Sequence, residues 1–261
     1  MKKTLSAGAD NRIWELDALR GFLILMVILD HLAWDVGWSG VHFATPAGIW
    51  LQRVSLDYLN SAIRAATHDG FVVLFVVLSG VCSNFSGSNF RRGLRLAAFA
   101  LGVTVVSVAA EQIMHARGAA IYFGILHCLA ACQLIFAALE RFRCPRGVTL
   151  LIGGVSLLIG AYFASEPISV SGFDWRYPFV YNTTFRTATG DFWPLLPYLG
   201  WFLIGAVIGG LVYRDRRSVA DGRVRPALRW LEFMGRHSIW FYLGSQVIFL
   251  GLAYLLALVG F

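Results

Sequence analysis

The chain has 261 residues, of which 57% are hydrophobic and 14% charged, and its formal net charge is +7. An ordinary soluble domain carries roughly 25% charged residues, so the composition excludes that class and indicates an integral membrane protein. The positive charge does not indicate nucleic acid, because in a membrane chain an arginine excess marks the cytoplasmic loops.

From the N-terminus, Lys2 and Lys3 are followed by no uninterrupted apolar run or small-residue cleavage site before Glu15, Asp17 and Arg20, so no cleaved signal peptide is expected. Residues 1–13 read as a cytoplasmic tail and 14–261 as one membrane domain. Segments 14–36, 69–87, 94–115, 119–139, 147–165, 192–213 and 236–260 are each long and apolar enough to span, given the about 20 residues that a bilayer core requires. The predicted fold is an all-α polytopic bundle of about seven transmembrane helices. An inside N-terminus puts seventeen of the 22 basic residues on the cytoplasmic side, leaving Arg53, Arg64, Arg117, Arg176 and Arg186 outside. The positive-inside rule therefore places the N-terminus in the cytoplasm and the C-terminus outside, and the helix lengths fit a bacterial inner membrane.

The first span, "ALRGFLILMVILDHLAWD", carries charge where lipid penalises it. Arg20 and His31 are eleven residues apart, about 16 Å of helical rise with a net rotation of roughly 20°, so both lie on one stripe. Asp35 follows His31 by one turn, within reach of its imidazole, and Asp30 precedes it. Ionisable groups inside a span are costly and usually serve a polar pathway. The competing reading is that Arg20 snorkels and His31 and Asp35 cap the outer end.

Further along, Trp50, Val54, Tyr58 and Ile63 recur at near-helical spacing in the loop 37–68, which suits an amphipathic interfacial helix. His68 and Asp69 open the second span, Glu111 and His115 close the third, and His127 lies in the apolar run "YFGILHCLAACQL". An unsatisfied imidazole there would be expensive, so His127 is a candidate site residue. Cys82, Cys128, Cys132 and Cys144 lack metal-site or paired spacing and read as packing residues. Arg20, Arg91, Arg92, Arg95 and Arg236, with His237, collect near cytoplasmic span ends, where guanidinium forks suit phosphates and where topology alone also puts arginine. In the loop 166–191, Trp175, Tyr177, Phe179, Tyr181 and Phe185 suit an aromatic belt or stacking against a sugar. Asp191 and Trp193 open the sixth span, Gly205-x-x-x-Gly209 predicts close helix packing, and the basic loop 214–235 reads as a connector.

The stretches "RIWELDALRGFLILMVILDHLAWD", "FVVLFVVLSGVCSNFS", "RRGLRL", "YFGILHCLA", "GDFWPLLPYLGWFLIGAVIG" and "LEFMGRHSIWFYLGSQ" resemble, in order and spacing, bacterial relatives of the heparan-alpha-glucosaminide N-acetyltransferase catalytic domain. The resemblance runs from Arg12 to about Gln246, and Arg20 with His31 also matches the Arg-x10-His signature of the acyltransferase-3 family. It implies transfer of an acyl group from cytoplasmic acetyl-CoA to an acceptor across the membrane, with an active-site histidine. The family-matching positions are Asp17, Arg20, His31, His68 or Asp69, His127 and Asp191. The lysosomal relative, whose acceptor is a terminal glucosamine amine, has more helices and a long lumenal extension; many bacterial relatives have no assigned reaction, which makes heparan an implausible substrate and leaves the acceptor open.

The reading that follows assigns donor binding to Arg20, Asp17, Arg91, Arg92 and Arg236, and acceptor binding to Asp191, Trp193 and Asp30. Catalysis falls to His31 with Asp35, with His68, Asp69 and His127 as rivals or helpers, and His127 or Asn84 as an oxyanion donor. Acetyl-CoA is the co-substrate and no metal is expected. The expected partners are the bilayer and a small-molecule or glycan acceptor, with homo-oligomerisation open. The main alternative is a proton-coupled transporter using the intramembrane His and Asp groups. A light sensor is disfavoured because the spans lack lysine, and a purely structural subunit predicts inert histidines.

Overall fold

The computed structural model describes residues 12–38, 42–114, 118–166, 176–181 and 189–259. Among them the secondary structure is helical, with one isolated parallel bridge between Phe123 and Phe192. The chain divides into two compact units, residues 1–75 with 215–261 and residues 76–214.

The first unit is organised around α1 (Trp14–Gly37), which packs against α2 (Pro46–Leu59), α8 (Arg225–Arg236) and α9 (Ser238–Leu258). Glu15 and Asp17 stand in the first turn of α1, where negative charge complements the helix dipole. α2 begins on Thr45, whose hydroxyl accepts the Gly48 amide at 3.1 Å, with Pro46 at the first helical position. A helix is thus present in this loop, with Trp50 and Val54 exposed along it, while Ile63, expected on the same helix, falls in α3. α8 corrects the reading of 214–235 as a connector. Its buried face, Leu231, Glu232 and Gly235, lies on α1, with Leu231 joining Trp14 and Ala18 in one apolar cluster. The twelve-residue amphipathic pattern was hidden by the surrounding arginines. Gly21 and Gly235 allow the closest approach. A Cβ on Gly21 would overlap the Leu231 carbonyl, and one on Gly235 the Asp17 carbonyl.

α3 (Ala62–Ser83) carries the boundary between the units within its length. It starts seven residues before the expected 69, which brings Arg64, His68 and Asp69 into the helix. Hydropathy alone misses this start, because the first two turns are polar.

The second unit holds the rest of α3, α4 (Asn89–Met114), α5 (Ile125–Arg141), α6 (Arg146–Ser165) and α7 (Leu195–Val212), with α4 on α5, α6 on α7 and α5 on α7. Its core includes Phe202, Leu203, Val76, Cys128 and Cys132. The predicted small-residue contact is present. A Cβ on Gly205 would overlap the Val77 carbonyl, and one on Gly80 the Phe202 carbonyl, so α3 and α7 touch backbone to backbone. The cysteines are free, three of them buried, as packing residues would be.

Among the described residues, five helices are long and apolar enough to cross a membrane: Ala62–Ser83, Asn89–Ile113, Arg146–Ser165, Leu195–Val212 and Ser238–Leu256. Of the other two expected spans, α1 matches the expected 14–36, while α5 starts at Ile125, six residues after the expected 119. α1 carries Glu15, Asp17, Arg20, Asp30 and Asp35, and α5 is 17 residues long. Leu101, Val105, Val106 and Ile113 on α4 are exposed, as side chains facing lipid would be.

Candidate functional site

In the first unit, polar chemistry collects at two levels of α1. At the N-terminal level Arg20 Nη1 donates to Asp17 Oδ1 at 3.0 Å and to the Gly235 carbonyl at 3.4 Å. Asp17 Oδ2 also lies 3.7 Å from Arg236 Nε and from Arg12 Nη1. Glu232 pairs with Arg236 and receives a fork from Arg225 at 3.1 and 3.2 Å. The Arg225 hydrogen bonds, more than the charge of Arg236, hold the Glu232 carboxyl below its ordinary range. Four guanidinium groups therefore surround two carboxylates, an arrangement that keeps a net positive charge. Asp17 binds arginines here and holds Arg20 and Arg236 in place.

At the C-terminal level of α1, Asp30 receives a bidentate fork from Arg64, Nε to Oδ1 at 2.6 Å and Nη2 to Oδ2 at 2.9 Å. The Tyr58 hydroxyl donates to Asp30 Oδ1 at 3.3 Å, and His68 Nε2 stands 3.8 Å from Oδ2. Burial, followed by the nearby Asp30 charge, pushes the Tyr58 phenol up from its ordinary value. His68 Nδ1 faces Asp69 Oδ1 at 3.1 Å, and Asp69 is largely exposed. Asp30 thus binds α2 and α3 to α1, and Arg64 and Tyr58, both overlooked in the sequence, complete it.

His31 and Asp35 face α9. The His31 ring meets Tyr242 with centroids 5.6 Å apart, and one turn on, Gln246 Nε2 donates to Asp35 Oδ1 at 2.7 Å. His31 Nδ1 is buried with no hydrogen-bond partner, so the expected Asp35 contact through that nitrogen is not made. Gln246 holds Asp35 instead, from 211 positions away in the chain. No sequence signal marks that pair.

In the second unit, His127 is fully occupied. Its Nδ1 accepts the Gly124 amide at 3.2 Å, which leaves Nε2 as the protonated nitrogen, 3.0 Å from Thr104 Oγ1. The Thr104 hydroxyl passes its own proton to the Ile121 carbonyl at 2.8 Å. His127 is therefore the third residue of α5, and its side chain caps the Gly124 amide just before the helix; Gly124 has no side chain to return that bond, so the capping-box signature does not mark the pair. Asp191 Oδ2 accepts the Ile125 amide at 2.9 Å, and Glu111 Oε2 accepts the Ala120 amide at 2.7 Å. Three side chains thus cap this helix start and the turn before it. Trp193 packs edge-on to Tyr198 at 5.2 Å. Tyr177 stacks on Phe192 at 5.0 Å and 9°, and burial pushes its phenol up to about 12. That part of the aromatic run is packed, not presented to a sugar. Trp175, Phe185 and His115 lie outside the described residues.

Arg92 Nη1 donates to the Cys82 carbonyl at 3.1 Å, closing the end of α3, and Arg91 is exposed at the start of α4. Asn84 gives both amide protons away, to the carbonyls of Val81 at 3.1 Å and Ala206 at 2.8 Å, which removes it as an oxyanion donor. Among the described residues no group of three or more His, Cys, Asp or Glu side chains is arranged to hold a metal ion. Since His127 works as a cap, His127→Ala is expected to lower unfolding stability by about 1 kcal/mol. Its specific transfer activity per folded molecule should stay within about threefold of the parent, against the 10²–10⁴-fold loss on removing an acid or base. Thermal unfolding and a transfer assay on the same preparation check both.

The chain matches the family described as "Heparan-alpha-glucosaminide N-acetyltransferase, catalytic" over residues 12–247. No curated protein and no solved structure matches it.

Proposed function

Because the chain belongs to the heparan-alpha-glucosaminide N-acetyltransferase catalytic family, a membrane acetyltransferase by that membership, we propose that it takes an acetyl group from cytoplasmic acetyl-CoA to an amine or hydroxyl, on a sugar, outside a bacterial inner membrane. In this reading α1 and α5 join the five apolar helices as spans, with the N-terminus inside. The arginine distribution supports that orientation.

The observation that carries the reading is the state of three histidines. His127 uses both ring nitrogens, and His68 stands between Asp30 and Asp69. His31 keeps Nδ1 buried without a hydrogen-bond partner beside Tyr242. A general base needs an imidazole nitrogen that no protein group occupies, and His31 Nδ1 meets that requirement.

The steps follow from that base. The acceptor N–H or O–H gives its proton to His31 as the acceptor atom attacks the thioester carbonyl. The tetrahedral intermediate then expels the coenzyme A thiolate, which takes the proton back from the imidazolium. Arg20, about 16 Å down α1 on the His31 stripe, and Arg236 at the end of α8, which shares Asp17 with it, hold the donor phosphates, and the pantetheine arm covers the distance. Arg91 and Arg92 supply further positive charge at the cytoplasmic face.

Arg20→Gln tests the donor end. It is expected to raise the KM for acetyl-CoA about tenfold, through loss of a charge-assisted contact to phosphate, with kcat within about twofold. An unchanged KM in steady-state kinetics would remove Arg20 from the donor site.

A further inference from the structure

At one end of the second unit, the last turns of α5 and α7, the first turn of α6 and the residue after α3 enclose a cavity of about 140 Å³. Asn84, Glu140, Arg146 and Gly210 line it, over an apolar floor that includes Phe136 and Val207.

Two of its walls carry charge that opposes their own helices. Glu140 is the penultimate residue of α5, where the carbonyl ends make the helix partly negative. Arg146 is the first residue of α6, where the amide ends make it partly positive. The two charges do not neutralise each other. Glu140 accepts from Asn89 and Arg146 donates to the Gly210 carbonyl at 3.3 Å, and among the described residues no ion pair joins them.

Glu140 is also held in place. Gln133, 1% exposed, donates Nε2 to Asn89 Oδ1 at 2.6 Å, and Asn89, 6% exposed, donates Nδ2 to Glu140 Oε2 at 2.6 Å. Two buried amides thus fix one oxygen of a carboxylate at a helix end that disfavours it, leaving Oε1 to accept. Asn84, with both protons given to carbonyls, likewise offers only Oδ1. That oxygen lies 3.1 Å from where a Cβ on Gly210 would stand, so the missing side chain keeps the space open.

We propose that this cavity binds a zwitterion of the phosphoethanolamine type. The phosphate meets the Arg146 guanidinium and the amide end of α6, which attract anions by charge and by unsatisfied N–H groups. The primary ammonium, with three protons to donate, meets Glu140 Oε1, Asn84 Oδ1 and the carbonyl end of α5. A ligand of this polarity reverses both unfavourable placements at once. The volume suits a small head group, since pockets for drug-sized molecules run to about 300–1,000 Å³. The source is a phospholipid head group or the free zwitterion.

The test uses the full chain in detergent with dioctanoyl phosphatidylethanolamine, its mono- and dimethyl forms, dioctanoyl phosphatidylcholine, dioctanoyl phosphatidylglycerol and free phosphoethanolamine, reading bound probe by native mass spectrometry. The parent is expected to retain the ethanolamine lipid about tenfold over the choline and glycerol lipids, with retention falling stepwise along the methyl series. Glu140→Gln, which keeps an oxygen for Asn89, should lose that preference, and Arg146→Gln should lose the ethanolamine lipid altogether. Free phosphoethanolamine that competes at equal concentration assigns the soluble zwitterion, and failure to compete assigns the lipid. Both outcomes support the site. Equal retention of all lipids by the parent, an unchanged preference in Glu140→Gln, or competitive displacement of the ethanolamine lipid by coenzyme A would overturn it. The methyl series on the parent needs no variant, so a variant that fails to fold leaves the proposal testable.

Discussion

Replacing His31 by alanine is expected to lower kcat for acetyl transfer by about 10²–10⁴-fold, the range for removing a positioned acid or base. Donor KM should hardly move, because the imidazole acts on the acceptor proton. The reason lies in the local geometry. His31 packs against Tyr242, and its Nδ1 makes no bond to the protein, so removing the ring breaks no capping or ion-pair network. Stability should therefore change little, whereas His127→Ala should do the opposite. Measuring unfolding midpoint and kcat on both variants separates chemistry from architecture. A His31→Ala protein with near-parental kcat would transfer the role of base to another group.

Gly21→Val is expected to give the largest structural effect. A Cβ at position 21 would overlap the Leu231 carbonyl, and the obstacle is backbone, which a rotamer change cannot move. α8 must then shift from α1, weakening the Arg20 hydrogen bond to the Gly235 carbonyl and the Asp17–Arg236 pair. Overpacking of this kind costs about 1–3 kcal/mol or more, and here it also disperses the arginines assigned to the donor. The control is Gly102→Val on α4, where nothing stands within 4 Å of an added Cβ. Unfolding midpoints should fall by several degrees for Gly21→Val and stay near the parent for Gly102→Val. Equal midpoints would mean that α8 does not depend on this contact.

The helical class and the approximate places of the long helices were legible because apolar runs of about 20 residues report directly on the lipid environment. The start of α3 was not. Arg64 reads as a loop residue in the sequence, whereas it lies in α3 and pairs with Asp30 on α1. α8 was concealed for a related reason, since its hydrophobic face repeats only where Leu228, Leu231 and Gly235 meet α1 and the arginines between them dominate the composition. Periodicity tells which face a residue occupies and is silent on its partner. His127 shows the consequence. Its depth in an apolar run marked it as a candidate site residue, but its partners are Thr104 on α4 and Gly124 in the turn before α5, which made the residue a cap. Asp35 likewise found its partner in Gln246 on α9, beyond any local pattern.

Removal of a proton by His31 from an acceptor attacking acetyl-CoA is measured by reconstituting the purified chain in liposomes with labelled acetyl-CoA on the side of Arg20 and a panel of amino sugars on the side of His31. Label should appear on an acceptor with the parent, fall by about 10²-fold or more with His31→Ala, and persist with His127→Ala once corrected for folded protein. No label on any acceptor from folded parent that binds neither acetyl-CoA nor coenzyme A would contradict the account, and favour a role in transport for the charged helix.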